Sequence, residues 1–299
     1  MTRFRHALLS GLSVAALMAG CSPLSPPPGG FVAHPTGSEM VVRVEWTGGF
    51  VPYEYVFTSL PQFTLLGDGR VIVEGPHIEI YPGPALPNLQ VRRLTEEGIQ
   101  SVLFRMAETG LFDQNHSWNA ATRFIADASS TVFTVRADGR DVVVDVYALG
   151  MLSDPDLAQP DFPPDELEAH DRLSQLENDL LNLDGWIPAD DWADAAWQRY
   201  EPEALRLLVA NVDNQPDPDG LAGEPLPWPV ANPPDEFGTA SEVHGFRCGV
   251  VSGGEGTTWY AALLEANQAT RWSHDGHVYQ VTPRPLLPDE PLDCGSTEG

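Results

Sequence analysis

The amino-acid sequence predicts an α+β fold, in which an antiparallel sheet built from hairpins packs against a few helices. Apolar runs flank an Asp-Gly pair at three places, and such a pair is a strong signal for a hairpin. Two long segments show the apolar periodicity of amphipathic helices. Strands joined by hairpins and interrupted by few helices are typical of α+β domains. The three pairs are Asp68-Gly69, Asp138-Gly139 and Asp275-Gly276.

The predicted strands follow from alternation and from the Asp-Gly pairs. Residues 41–46 alternate, which places Val42, Val44 and Trp46 on one face of a first strand. Each Asp-Gly pair predicts a type I′ turn, because both central residues of that turn need a positive φ. The remaining strands are predicted over 62–66, 71–74, 131–136, 141–147, 205–212, 243–251, 269–272 and 278–282.

Three helices are predicted, and the first, over 95–110, is the best marked. Thr95 suits the N-cap, and Gly110 suits the position just after the last turn. The second helix is predicted over 164–183 and the third over 255–267. The apolar stripe of the first helix contains Ile99, Val102, Leu103 and Met106, and that of the second contains Leu167, Leu173, Leu176, Leu180 and Leu183.

Composition divides the chain into four parts. Residues 1–20 read as a signal peptide, and 21–39 read as a lipidated Cys followed by a proline-rich tether. Residues 40–185 are predicted to form an α+β domain. Residues 186–299 are predicted to form a second α+β segment packed on the first. Its segment 213–234 is so rich in proline that we expect a surface loop there.

The amino terminus has the order of a membrane-targeting signal. Arg3 and Arg5 precede a short apolar run over 7–19, and small residues lead directly to Cys21. The run is too short to span a membrane. Its ending, Leu17-Met18-Ala19-Gly20-Cys21, resembles the lipobox of bacterial lipoproteins. The resemblance implies cleavage before Cys21 and acylation of its thiol, hence an anchor on the extracytoplasmic face of a membrane in the cell envelope. The alternative is an ordinary secretory signal cleaved near Ala19.

Two cysteines remain once Cys21 is assigned to lipid. In an extracytoplasmic compartment disulfides persist, so Cys248 and Cys294 are predicted to form one. The alternative is a pair of free thiols. No neighbouring residue of either cysteine suggests an activating base.

Composition excludes several function classes. The formal net charge is −27, and all 16 basic residues are Arg. Without Lys there is no Schiff-base enzyme, Walker loop or protein-kinase chemistry. A chain this acidic repels the phosphate backbone, so we expect no nucleic-acid partner. No cofactor is indicated, because the dinucleotide glycine fingerprint is missing as well.

Aromatic residues cluster just after the second predicted helix. Trp186, Trp192, Trp197 and Tyr200 stand in an acidic stretch. Exposed indole faces beside carboxylates suit sugar rings, so these residues are a candidate ligand platform. The alternative is that they anchor a helix to a sheet as part of the core.

Three other groups contain residue types that suit metal binding or catalysis. Asp213, Asp217, Asp219 and Gly220 resemble part of a calcium loop, but Gln215 and Leu226 stand where its end ligands belong. His274 and His277 bracket the third hairpin turn with Asp275, without a third ligand in a recognisable pattern for zinc. Asp190 and Asp191 beside two tryptophans offer a carboxylate pair for glycoside hydrolysis. No residue is therefore assigned as catalytic or as a metal ligand.

A broader resemblance covers most of the mature chain. The hairpin Gly67-Asp68-Gly69-Arg70, the helix over 95–110 and the tail over 284–290 are similar to those of secreted lipoproteins of GC-rich bacteria. The resemblance implies an envelope location. We expect a binding or interaction role, with an envelope protein or a glycan as partner besides the membrane. The alternative is an extracytoplasmic hydrolase that acts on glycans through carboxylates.

Overall fold

The computed structural model describes residues 30–153, 162–217, 220–241 and 245–294. The predicted signal peptide and Cys21 lie outside the described residues. The fold is α+β, as the sequence predicts, with two mainly antiparallel sheets. The described helices are α1 Tyr53–Thr58, α2 Glu96–Glu108, α3 Pro164–Leu181 and α4 Gly253–Leu264.

The first sheet contains eight strands among the described residues. These strands are β1 Met40–Gly48, β2 Phe63–Leu66, β3 Arg70–Glu74, β4 Leu89–Arg93, β5 His116–Trp118, β6 Ser129–Ala137, β7 Arg140–Tyr147 and β8 Gln198–Arg199. Their spatial order is β5-β7-β6-β1-β2-β3-β4-β8. Neighbours are antiparallel except β5 and β7, which run parallel.

The second sheet contains six strands within the described ranges. These strands are β9 Ala204–Asn211, β10 Leu226–Pro227, β11 Thr239–Ala240, β12 Arg247–Ser252, β13 Arg271–His274 and β14 His277–Pro285. Their spatial order is β10-β13-β14-β9-β12-β11. Helix α4 packs on β9 and β12 through Trp259 and Leu263, both of which are buried.

Helices α2 and α3 cover one face of the first sheet. The predicted N-cap is confirmed, since the Thr95 hydroxyl accepts a hydrogen bond from the Gly98 N–H at 3.3 Å. Trp46 of β1 reaches α3, where its indole N–H donates to Glu177 Oε1 at 3.2 Å. The predicted stripe of α3 is wrong at Leu167, which is 41% exposed because the helix turns that residue away from the sheet. The other residues of both predicted stripes are buried: Ile99, Val102, Leu103, Met106, Leu173, Leu176, Leu180 and Leu183.

The segment that follows β14 lies against the opposite face of the first sheet. Leu66 and Ile72 of the first sheet share a small buried cluster with Tyr200 and Leu287. The Tyr200 hydroxyl donates to the Leu286 carbonyl at 2.9 Å. The two sheets therefore join through side chains from β2 and β3 and through the segment that follows β14.

The Asp-Gly pairs form hairpins, with one difference in turn type. Asp138 and Gly139 have φ of 50° and 68°, and Asp275 and Gly276 have φ of 48° and 84°, as a type I′ turn requires. At the first hairpin Gly69 has a φ of 84° while Asp68 does not have a positive φ. There the Gly69 N–H donates to the Leu66 carbonyl, so the type I′ prediction is wrong for this turn.

The amino-terminal segment joins the fold earlier than the predicted tether allows. Val32 is buried, and its N–H donates to Gln100 Oε1 at 2.8 Å. The Asp138 N–H donates to the Ala33 carbonyl at 2.6 Å, and the Gly67 N–H donates to the Glu39 carbonyl. The predicted tether over 21–39 is thus too long, because its last residues pack against the turns at one end of the first sheet.

The predicted boundary at 185/186 also differs from the structure. Residues 186–200 pack on the first sheet, where β8 pairs with β4 and Ile187 is buried in the core under α2 and α3. The change of sheet comes between β8 and β9, after Tyr200. The aromatic residues that follow residue 185 fill the core of the first packed unit. They therefore mark where that unit ends and do not belong to a second one.

Candidate functional site

The four aromatic residues of the predicted platform do not form one exposed surface. Trp192 and Tyr200 are only 8% and 7% exposed, and they belong to different buried clusters. Burial raises the pKa of the Tyr200 hydroxyl well above its usual range. Both side chains therefore serve packing between helices, sheets and the carboxyl-terminal segment.

The other two tryptophans are held by internal hydrogen bonds. The Trp186 indole N–H donates to the Asp179 carbonyl, and the Trp197 N–H donates to Asp184 Oδ2, both at 2.8 Å. The Arg92 guanidinium lies 3.9 Å from the centre of the Trp192 ring. The indole N–H groups of Trp186 and Trp197 thus bond to the protein itself, as expected for residues that anchor the core. The prediction of an exposed ligand platform is therefore wrong.

The candidate acidic and histidine groups make local contacts in the structure. His277 Nδ1 lies 2.6 Å from Asp213 Oδ2, and this hydrogen bond lowers the pKa of Asp213 and raises that of His277. His274 Nε2 lies 3.6 Å from Asp275 Oδ2. The Asp191 carbonyl accepts the Thr95 N–H at 2.8 Å. Within the described ranges no three His, Cys, Asp or Glu residues converge as metal ligands do.

Cys248 and Cys294 lie at disulfide-bonding distance. Their Cα atoms are 6.1 Å apart, which is within the usual range for a bonded pair. Cys248 is buried on β12 beside Phe246 and Leu208. The carboxyl-terminal segment therefore lies beside the second sheet at this point.

A cleft of about 700 Å³ opens between the two sheets. One wall comes from the connection that carries α1 and from the loop of residues 75–88, which joins β3 to β4. The other wall comes from the end of α4 and from residues 281–283 of β14. Segments far apart in sequence therefore build this concave surface.

Loop 75–88 is fixed at both ends and exposed in its middle. The Gly75 N–H donates to the Asn88 carbonyl at 2.7 Å, which closes its base. The Ala85 N–H donates to the Ala266 carbonyl at 3.1 Å, and the Gln268 N–H donates to the Gly83 carbonyl at 2.8 Å. These bonds attach the loop to the segment after α4, so it bridges the two sheets.

Large apolar side chains rim the cleft. Ile78 and Ile80 of loop 75–88 line it and are 70% and 58% exposed. Tyr55 of α1 and Leu264 of α4 face it from the other elements and are exposed as well. Tyr81, next along the loop, is 71% exposed. Exposed apolar side chains that gather at one cleft are typical of interaction sites in soluble proteins.

A few charged groups accompany this apolar rim. Glu74 is the one acidic side chain among the described residues that line the cleft, and its Oε1 lies 3.1 Å from His77 Nε2. Arg199 contributes the one guanidinium of the lining within the same described set. Glu79 and Glu265, both exposed, directly adjoin lining residues.

Comparison with protein-family models, with curated proteins and with solved structures finds no match. None of the helices that the structure describes combines the length and the apolar composition of a membrane span.

The cleft was not predicted from the sequence, although the sequence contains a signal for it. The segment His77-Ile78-Glu79-Ile80-Tyr81 alternates apolar residues within a stretch rich in Pro and Gly, where no buried strand is expected. Apolar residues in such a loop either pack inward or remain exposed for a partner. The structure places Ile78, Ile80 and Tyr81 at the surface.

Proposed function

We propose that the protein is a lipid-anchored binding protein of the cell envelope, and that the cleft between its two sheets is the ligand site. One observation carries the proposal. Exposed apolar side chains from α1, loop 75–88 and α4 converge on a single cleft in an otherwise strongly acidic chain. Such a concave, partly apolar surface is the usual form of a ligand site.

The direction of the strands supports this assignment. Residues 30–39 meet the first sheet at the end that carries the turns Asp68-Gly69 and Asp138-Gly139. The connection after β1 and loop 75–88 lie at the opposite end, because β1, β2, β3 and β4 are successive antiparallel strands. A chain anchored through Cys21 would present its cleft away from the membrane.

The cysteine pair fits the same compartment. We infer that Cys248 and Cys294 are oxidised to a disulfide in the mature protein, since their Cα separation of 6.1 Å permits the bond. Disulfides persist outside the cytoplasm. The bond would hold the segment after β14, which borders the junction between the sheets.

Binding accounts for the cleft better than glycoside hydrolysis does. Glycosidases need two carboxyl groups that flank the scissile bond. Glu74 is the one carboxylate among the described lining residues, and it is paired with His77. The proposal therefore assigns no catalytic residue.

The proposal is tested on the lipidated full chain in nanodiscs of neutral lipid. The probe is a Leu-Ser-Gly repeat peptide that carries a neutral dye, and fluorescence polarisation reports binding. We expect saturable binding to the protein and none to empty nanodiscs. In the variant Ile78→Ser/Ile80→Ser we expect binding to weaken at least about tenfold, because two apolar contacts are lost.

A matched variant separates the cleft from general surface hydrophobicity. Phe31 and Leu167 are also exposed apolar residues and do not line the cleft. Phe31→Ser/Leu167→Ser is expected to bind the peptide as the unaltered chain does. Equal weakening in both variants, or no saturable binding at all, would overturn the proposed site.

A further inference from the structure

Asn115 stands in the sequence pattern of an N-glycosylation acceptor. The segment reads Asn115-His116-Ser117, in which a hydroxyl follows the asparagine at the second position and no proline lies between them. None of the other eight asparagines in the sequence has serine or threonine at that spacing. Because a three-residue pattern also arises by chance, its setting in the fold decides whether it can act as an acceptor.

This acceptor segment lies at the surface, at one edge of the first sheet. Asn115 directly precedes β5, and among the described strands β5 has only β7 as a neighbour. Asn115, His116 and Ser117 are all exposed. A sugar on Asn115 therefore extends into solvent, as the folded chain requires of a bulky, polar group.

The Asn115 side chain is oriented by one hydrogen bond that leaves its nitrogen free. Its Oδ1 accepts the Val143 N–H of β7 at 2.9 Å. Its Nδ2 has no hydrogen-bond partner among the residues that the structure describes. N-glycosylation replaces one hydrogen of Nδ2 and leaves Oδ1 able to accept, so the contact with β7 is compatible with the modified side chain.

The Ser117 hydroxyl is also available to an enzyme. It makes no hydrogen bond to a residue within the described ranges. An amide nitrogen is a weak nucleophile, because its lone pair is delocalised into the carbonyl group. A hydroxyl at the second position after the asparagine gives a transferase a group with which to bind and orient that amide. Asp113 adds an exposed carboxylate to the same short segment.

A purely structural role accounts for only part of this segment. The Asn115 carbonyl oxygen extends the pairing of β5 with β7, since Val143 directly precedes Val144, the partner of His116. That role uses neither Nδ2 of Asn115 nor the Ser117 hydroxyl. Both groups that N-glycosylation needs therefore remain accessible in the folded chain.

We propose that Asn115 is a site of N-linked glycosylation. The co-substrate is an oligosaccharide joined to a lipid through a diphosphate, and the enzyme is a transferase at the extracytoplasmic membrane face. Nδ2 of Asn115 forms a bond to C1 of the first sugar, and the C1–O bond to the diphosphate breaks. The lipid diphosphate leaves with that electron pair, and one Nδ2 proton passes to a base of the transferase. The inference rests on the proposed envelope location and is independent of the cleft.

The glycan covers an edge strand and leaves the cleft open. β5 and β8 are the two opposite edges of the first sheet, and Arg199 of β8 lines the cleft. An edge strand offers unpaired backbone groups to other chains, and proteins protect such edges. A sugar on Asn115 protects β5 in this way without covering the proposed ligand site.

The test is mass spectrometry of the full chain isolated from membranes of the organism that encodes it. Because the chain has no Lys, trypsin cuts after Arg105 and Arg123 and releases the peptide of residues 106–123. This peptide contains Asn115 and also Asn119, which has no hydroxyl at the second position after it. We expect the peptide to carry the added mass of sugar residues, and fragmentation to assign that mass to Asn115.

Three variants produced in the same organism separate the acceptor pattern from other causes. We expect the sugar to be lost in Asn115→Gln and in Ser117→Ala. In Ser117→Thr it is retained, because threonine also supplies the hydroxyl. Neither change at Ser117 removes the bond between Asn115 and Val143, so these two variants form a matched pair.

The outcomes distinguish this inference from the proposed location. An unmodified peptide 106–123 would overturn the inference, and a lipid adduct on Cys21 in the same molecules would retain the envelope anchor. Sugar on Asn119, or sugar that persists in Ser117→Ala, would overturn the assignment to the acceptor pattern. Sugar that persists in Asn115→Gln and is lost in Ser117→Ala would belong to the Ser117 hydroxyl and would equally overturn the inference.

Discussion

Arg43 of β1 donates from Nη2 to both carboxylate oxygens of Asp289, at 2.8 and 3.0 Å, across the junction between the two sheets. The two side chains are 14% and 11% exposed. Close by, the Arg284 guanidinium donates to both oxygens of Glu290 at 2.8 and 2.6 Å. The first pair connects the first sheet with the segment that follows β14, and the second attaches that segment to β14 itself.

Removing one partner of the Arg43–Asp289 pair is expected to destabilise the fold strongly. In Asp289→Ala the guanidinium stays largely buried without its carboxylate, which costs about 3 kcal/mol in the free energy of unfolding. The matched control is Glu168→Ala, which breaks an exposed helical pair with Arg172 and costs less than about 1 kcal/mol. Urea denaturation measures the free energy of unfolding of both variants. Equal losses would contradict a stabilising role for the Arg43–Asp289 pair.

Stability is expected to fall on mild acidification because of His170. The His170 side chain is 3% exposed, and burial lowers its pKa to about 4. The unfolded chain has an ordinary histidine pKa near 6.5, so between these values only the unfolded state binds the proton. The free energy of unfolding therefore declines by about 3 kcal/mol from this group as the pH drops from about 6.5 to about 4.

Glu166, which neighbours His170, has the opposite effect on stability as the pH falls. Glu166 Oε1 lies 3.9 Å from His170 Nε2 and accepts the Ala120 N–H at 2.6 Å. Burial raises the pKa of Glu166, so on acidification the native state takes up that proton before the unfolded chain does. The free energy of unfolding, measured by urea denaturation across this pH range, is expected to change less with pH in His170→Leu than in the unaltered chain. An unchanged slope would rule out the assignment to His170.

Loss of the disulfide is expected to lower stability and to loosen the carboxyl-terminal segment. Closing a loop with a sequence separation of 46 contributes roughly 4 kcal/mol in the chain-entropy model. Cys248→Ser/Cys294→Ser should therefore melt at a lower temperature than the oxidised chain. Peptide mapping without reductant should recover the two cysteines as one linked species, and recovery as free thiols would contradict the bond.

Lipidation at Cys21 stays a prediction from the sequence. Intact-mass analysis of protein extracted from membranes should show a diacylglyceryl adduct on an amino-terminal cysteine. The Cys21→Ser chain should leave the membrane fraction, because a single substitution removes the anchor. Unmodified protein cleaved at another position would refute the lipobox interpretation.

The elements that local chemistry specifies were predictable. Asp-Gly turns marked three hairpins, and Thr95 marked the start of α2, because both signals depend on residues close in sequence. The pairing of Cys248 with Cys294 followed from elimination, and the distance between them is compatible with it. Exposed Leu167 shows the limit of periodicity, since a stripe does not say where the packed surface ends.

The cleft was not predictable in the same way. Its walls come from α1, loop 75–88, the end of α4 and β14, which meet only when both sheets are packed. The prediction of an exposed aromatic platform was wrong for a different reason. Spacing along the chain does not show whether an indole faces solvent, and Trp192 faces the core under Arg92.

The most direct test of the cleft as ligand site is amide hydrogen exchange on the lipidated full chain, with and without saturating Leu-Ser-Gly repeat peptide. We expect slower exchange in loop 75–88 and in α1, whose exposed apolar residues the ligand would cover. The turn at Asp138-Gly139, at the other end of the first sheet, should exchange as before. Protection confined to that turn or to residues near Trp197, with loop 75–88 unchanged, would contradict the account.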